Sequence, residues 1–186
     1  MNMQIRGWNE CLITYVLAAS STTFGVPAIV YNNGWKGSAG FVNGNSYYGY
    51  QLPLGPAQGG PLFFSHYSFL GFDPREKKDI YANYFNNNKN ITLIHKAYCT
   101  ANSHGFTGYG ENCWGLTASD DPTGYRVHEP TNDNGTITPT AAISSIACTS
   151  VNTGTPILVR VSARISNPLS IPKPRKDFPL ERLALS

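Results

Sequence analysis

Apolar positions recur at helical spacing in only a few stretches of this chain. Leu12, Tyr15, Val16 and Ala19 follow the three- and four-residue steps of one helix face and predict a helix over residues 8–20. "GPLFFSHYSFLGFDP" predicts a second over 61–71, with Pro61 at its start and Gly71 and Pro74 as its stop. Past Pro74, Ile80, Tyr84, Ile91, Ile94 and Tyr98 share a stripe that predicts a long helix over 75–98. "TITPTAAISSIA" predicts a last helix over 138–146, with Thr138 as its cap and Pro139 at its first position. Period-two alternation is weak everywhere before residue 147, so the expected class is all-α with no sizeable sheet.

Between those helices lie long polar connections, residues 21–60 and 99–135. Connections of that length in a compact chain are usually functional. The stretch "GFTGYGENCWGLTASDD", residues 105–121, places four glycines around Glu111, Asn112, Trp114, Asp120 and Asp121. A helix or strand would not spend four glycines there, whereas a loop that turns tightly beside a ligand would.

Composition narrows the chemistry. The 11 Tyr, 9 Phe and 3 Trp stand against few charged residues, a balance that suits uncharged, hydroxyl-rich ligands as well as an aromatic core. The net charge of +3 misleads. Residues 1–146 hold eight Lys and Arg against nine Asp and Glu, and residues 147–186 hold six against two. With the excess confined to the tail, no nucleic-acid surface is expected. Cys11, Cys99, Cys113 and Cys148 are widely spaced with no C-x-x-C, which argues against zinc and against a disulfide framework. No run is long enough for a membrane span, and "MNMQIRGWNECLITYVLAAS" reads as an amphipathic helix interrupted by Glu10 rather than as a signal peptide.

Residues 147–186 break the pattern. Five prolines, little periodicity and a basic bias mark an atypical tail, which reads as a disordered segment. A second reading is a shifted frame: one base out of register across Val151–Val159, the permitted codons include an amphipathic Ser-Ile-Arg-Ala-Leu-Arg-Tyr-Leu that would continue "TAAISS".

Five blocks, "RGWNECLITYVLAAS", "GNSYYGYQLPLGP", "GGPLFFSHYSFLGFDPR", "YGENCWGLTASD" and "PTNDNGTITPTAAISS", carry a family pattern. Over residues 4–146 the chain resembles the glucoamylase-like glycoside hydrolases of Bacteroidetes, a group that includes endo-β-1,2-glucanases. The resemblance implies an (α/α)6 toroid with a catalytic cleft on one face. It also implies a polysaccharide substrate, no cofactor, and a periplasmic or secreted location for the whole protein. Members of the family are considerably longer, so residues 1–146 are expected to be the middle portion of a catalytic domain.

Glycoside hydrolysis uses two carboxyl groups, one to protonate the leaving oxygen and one to activate water or attack the sugar. Glu111, set between Gly110 and Asn112 beside Trp114, is the first nominee. Glu10 is the second, after Trp8 and Asn9 at a helix start, where a carboxylate also suits the helix dipole. The resemblance of the "WNE" block favours a cleft role for it. Asp120, Asp121 and Asp133 are weaker nominees, because "SDDPTG" and "TNDNGT" are also ordinary turn chemistry. Trp8, Trp114, Tyr47, Tyr48 and Tyr50 are candidate sugar-stacking rings, with Asn9, Asn112, Asp120 and His66 as candidate hydrogen-bonding partners of sugar hydroxyls. The expectation is a β-glucan hydrolase, β-1,2-linked by resemblance and inverting, with no metal. The alternative is a carbohydrate-binding or scaffold protein that has lost catalysis.

Overall fold

The computed structural model describes residues 4–37 and 40–149, so the tail assignment lies outside the described residues beyond Thr149. In chain order come α1 (Leu12–Ser20), α2 (Ala28–Val30) running into a π-helical turn (Tyr31–Trp35), and a hairpin of β1 (Val42–Tyr47) and β2 (Tyr50–Leu54). A 3-10 turn (Ala57–Gly59) leads to α3 (Phe63–Ser68) and α4 (Tyr84–Ala101). A second hairpin, β3 (Ala118–Asp121) and β4 (Gly124–Val127), precedes α5 (Pro139–Ser144) and α6 (Ile146–Thr149).

The two antiparallel hairpins correct the all-α expectation, and the described residues form a mixed α/β arrangement rather than an (α/α)6 toroid. Each hairpin hid from periodicity for its own reason. In the first, Leu52 and Leu54 are fully buried, but β1 carries no apolar alternation to match them. Its Tyr48-Gly49 turn has positive φ at both positions (52° and 84°), the conformation that closes a two-residue hairpin. In the second hairpin every residue of β4 is exposed, with Tyr125 and Val127 set opposite Asp120 and Ala118, so no sustained apolar alternation marked it.

The helix bounds moved for local reasons. Residues 8–11 form a turn closed by Asn9, whose Oδ1 accepts the Cys11 N–H at 2.8 Å, and α1 starts only at Leu12. The stretch expected to be helical from residue 75 is non-helical up to Asn83. Asp79 Oδ1 takes the N–H groups of Tyr81 and Ala82 in a competing turn, and Ile80, placed on the stripe by spacing, is 90% exposed. Asn83 then caps α4 by accepting the Asn86 N–H at 3.0 Å. Pro139 does open α5, while the Thr138 hydroxyl bonds Ser119 Oγ instead of capping it.

Helix α4 is the spine. Its Ile91 and Ile94 are fully buried together with Trp35, Phe41, Leu52, Leu54, Leu62 and Leu116. A two-stranded hairpin is marginal alone, and here α4 covers it with polar as well as apolar groups. Asn87 Oδ1 accepts the Leu54 N–H at 3.0 Å, and Asn90 Nδ2 donates to the Gln51 carbonyl at 2.7 Å. His95, fully buried, bonds the Gly60 carbonyl at 2.7 Å. At the helix start, Tyr84 donates to Asp79 (2.8 Å) and accepts from Tyr31 (2.6 Å), while Lys36 pairs with Asp79 at 3.4 Å under the rings of Tyr31 and Tyr81. These extra partners offset the desolvation of a nearly covered ion pair, and burial raises both tyrosine hydroxyls well above their ordinary range.

Two predictions follow from this packing. Gly115 sits at φ +117° with its missing Cβ position 2.9 Å from Thr138 O and 3.0 Å from Ala142 N, both backbone atoms that cannot swing aside. Gly115→Ala is expected to cost about 2–4 kcal/mol of unfolding free energy, measured by urea denaturation.

The second concerns acid. Burial pushes the imidazoles of His95 and of His66, which bonds Ser145 Oγ at 2.9 Å, down to about 4. Unfolded histidines titrate near 6.5 and so bind protons that the folded rings refuse. Their contribution is therefore complete above pH 6.5 and lost as pH falls through 4, by up to about 3 kcal/mol for His95. The melting temperature is expected to drop across that window, and a flat profile from pH 7 to 4 would show that the rings stay hydrated.

Candidate active site

The nominated residues fall into two groups along α4. The first surrounds its N-terminal end. Trp8 is buried, stacked parallel on Tyr84 at 6.3 Å and set against Phe69, with Gly55 close enough that a Cβ would stand 3.3 Å from the indole. Asn9 is spent locally: Oδ1 accepts from Cys11, Nδ2 donates to the Arg6 carbonyl, and its own carbonyl accepts the Ser68 hydroxyl at 2.6 Å. The next residue, Glu10, is half-buried at the entry to α1. Its charge, after burial, raises the Cys11 thiol. The Trp8 stack, the Asn9 turn and the Ser68 bond together fix the backbone from which the Glu10 carboxylate projects.

The second group lies toward the C-terminal half of α4. Glu111 is exposed, with 71% of its side chain accessible, and pairs with Lys96 at 3.8 Å. Asn112 beside it is exposed, while Trp114 is 1% exposed and belongs to the core. The turn is closed by reciprocal backbone bonds between Gly110 and Cys113, at 3.0 and 3.2 Å. From Tyr84, against which Trp8 stacks, to Lys96 is twelve residues of helix, about 18 Å of rise. Glu10 and Glu111 are thus anchored at different levels of one rigid element.

Tyr48, at the tip of the first hairpin, is 47% exposed, and Tyr47 and Tyr50 are half-buried beside the core. His66 is joined to Ser145 rather than left free. Asp120 is exposed on β3. Its neighbour Asp121 is covered by donors: Thr123 supplies both N–H and hydroxyl at 2.6 Å, and Asn134 donates at 2.7 Å. Those hydrogen bonds, Thr123's first, hold its carboxyl at about 2, with Arg126 3.7 Å away. Asp133 accepts the Tyr98 hydroxyl at 2.9 Å, the Tyr109 hydroxyl at 2.8 Å and the Gly135 N–H at 2.9 Å, which places a tertiary function on what read as a turn residue.

Three residues near these groups escaped the sequence reading. Lys96 is one more polar position on a helix, and Tyr109 one more aromatic in a loop, so neither carried a local signal. Glu129 lies in "HEPTN", where Oε1 accepts the Thr131 hydroxyl at 2.8 Å and Oε2 faces Gly60 beside Phe64. Among the described residues no group of His, Cys, Asp and Glu is arranged to hold a metal ion, Cys11, Cys99 and Cys113 are free thiols, and no helix is long and apolar enough to cross a membrane.

Comparison with known proteins connects this arrangement to a family. The chain is 42% identical over 168 residues to an exo β-1,2-glucooligosaccharide sophorohydrolase (non-reducing end) of Parabacteroides distasonis, covering 80% of this chain and 23% of that protein. It superimposes on the endo-β-1,2-glucanase from Chitinophaga pinensis, solved with sophorotriose and glucose, with a TM-score of 0.73 at 48% identity, over 78% of this chain and 36% of the other. A β-1,2-glucanase structure from Parabacteroides distasonis matches with a TM-score of 0.71 at 41% identity, over 77% of this chain and 24% of the other. The chain therefore spans about a quarter to a third of the length of these relatives. The Glycoamylase family model matches residues 2–161, and with most of its length inside that match the chain belongs to the Glycoamylase family.

Proposed function

We propose that this chain carries part of the catalytic domain of a β-1,2-glucan hydrolase, residues 1–146 forming its middle portion. The observation that carries the reading is that the three relatives compared are all named for β-1,2-linked glucose chains, at 41–48% identity. The substrate would be an oligo- or polysaccharide, met in the periplasm or outside the cell.

Glu10 and Glu111 are the proposed carboxyl pair, with Tyr48, Tyr50, Asn112 and Asp120 as contacts to sugar and Trp8 and Trp114 shaping the site from the core. Their setting supports a division of labour. Glu10 projects from a turn locked on three sides, which suits a group that must meet one oxygen atom. Glu111 stands on a solvated loop beside a cation, which suits a group that must reach water. Inversion, the stereochemistry that the family resemblance suggests, would require the two carboxyl groups to stand about 6.5–9.5 Å apart with room for a water between them.

The test uses residues 4–149 in two settings: within the 186-residue chain, and replacing the equivalent segment of the Chitinophaga pinensis enzyme. Glu10→Gln and Glu111→Gln keep shape and hydrogen bonding while removing the titratable proton. Each is expected to lower reducing-sugar release from β-1,2-glucan by about 10²–10⁴-fold, with little change in melting temperature. Near-normal turnover in either variant removes that residue from the pair. Oligosaccharide binding with no release from the unsubstituted segment, in both settings, would favour the carbohydrate-binding alternative.

A further inference from the structure

The 103–113 segment has little backbone structure of its own. Asn102, the left-handed C-cap of α4, bonds both N–H and C=O of Phe106 with its side chain, and the Gly110–Cys113 pair closes the far end. Between them the backbone offers only the Gly105 N–H to the Asn102 carbonyl at 2.9 Å and one long bond, Tyr109 N–H to the Phe106 carbonyl at 3.4 Å. The middle of the loop is held instead by side chains converging on Asp133. Tyr109 gives its hydroxyl to Oδ1 and Tyr98, from α4, gives its own to Oδ2, so the carboxylate bridges loop and helix. The Gly135 N–H, also on Oδ1, fixes the carboxylate from its own turn. Phe106 packs under Gly135, where a Cβ would stand 3.0 Å from the ring, and Phe106 and Tyr109 rings meet at 5.3 Å. Burial first, then Asp133, raises both tyrosine hydroxyls, so each stays a donor through the neutral range.

Glu111 lies two residues beyond Tyr109. Its own link, an exposed ion pair to Lys96 at 3.8 Å, is the weaker kind of contact. Charge-assisted hydrogen bonds to a half-buried carboxylate are the stronger kind. We infer that Asp133 is the positioning residue of the site: through Tyr109 it fixes the loop on α4 and so sets where the Glu111 carboxylate stands. This rests on the catalytic reading of Glu111 given above, and the test separates the two.

Tyr109→Phe removes one hydroxyl and keeps the ring, and Asp133→Asn removes the charge and keeps the shape. In the 186-residue chain, both are expected to speed amide hydrogen exchange across residues 103–113 by at least about tenfold while leaving residues 84–98 protected. This measurement needs no substrate, and unchanged exchange in both variants overturns the inference whatever Glu111 does. In the hybrid with the Chitinophaga pinensis enzyme, Tyr109→Phe is expected to lower turnover about 10–100-fold and to move the pH–rate profile. A residue acting through Glu111 has nothing further to take away once Glu111 is gone, so Tyr109→Phe added to Glu111→Gln should cost nothing more. A multiplicative loss in the double variant overturns the positioning role. Full turnover in Glu111→Gln with fast exchange in Tyr109→Phe would instead sink the catalytic reading and, with it, the role in catalysis, leaving Asp133 as a loop anchor only.

Discussion

The structure depends on the side-chain hydrogen bonds that helix α4 makes to the backbone of the first hairpin and of the turn after it. A helix written "YFNNNKNITLIHKAYCTA" has poor intrinsic propensity in its first turns, since asparagine competes for the backbone with its own side chain. Here tertiary partners settle that competition at most of the polar positions, while Asn88, fully buried, has no protein partner for either side-chain polar atom. Asn83 caps the start, Asn87 and Asn90 bond the open edge of β2, His95 bonds the Gly60 carbonyl, and Asn102 ends the helix and ties down Phe106. A buried amide or imidazole left without such partners would cost more than each bond returns in net stability. Helix and hairpin are therefore each other's condition, because the hairpin's edge needs donors and acceptors and the helix's asparagines need a backbone to meet.

The same economy runs through both groups of site residues. At one end, Trp8 lies on Tyr84, whose hydroxyl bonds Tyr31 and Asp79, itself paired with Lys36, so the turn bearing Glu10 is seated on an ion pair with few exposed atoms. At the other, Tyr98 and Tyr109 meet on Asp133 next to the loop bearing Glu111. In each case the nominated carboxylate is not itself deeply packed, and the side chains behind it are. Such a division would keep the two proposed carboxylates accessible while the packed side chains behind them limit their wander.

Glycine placement follows from these close approaches. Gly59, at φ +99°, lies where a Cβ would stand 2.8 Å from Ile91 of α4, and Gly115 brings the Trp114 segment against the start of α5. The loop glycines Gly105, Gly108 and Gly110 have open space around them, so at the first two it is the positive φ, not crowding, that favours glycine.

The sequence alone determined the helices at α1, α3 and α5 to within a few residues where an apolar stripe or a proline marked them, the body of α4 but not its start, the family, and the loop with Glu111 as a turn rich in polar groups. Tertiary structure decided what periodicity does not encode. The first hairpin exists because α4 covers its edge, and the second leaves its short β4 wholly exposed, so neither could be read as a strand pair, and the all-α expectation failed there. Ile80 joined an apolar stripe by spacing, yet Asp79 captured the following N–H groups and turned it into solvent. Trp8 and Trp114 read as candidate sugar-stacking rings and are buried, because indole burial outweighs what exposure returns. Asp133 read as a turn residue because the turn is local, whereas the tyrosines that give it a larger role are 24 and 35 positions away in the chain.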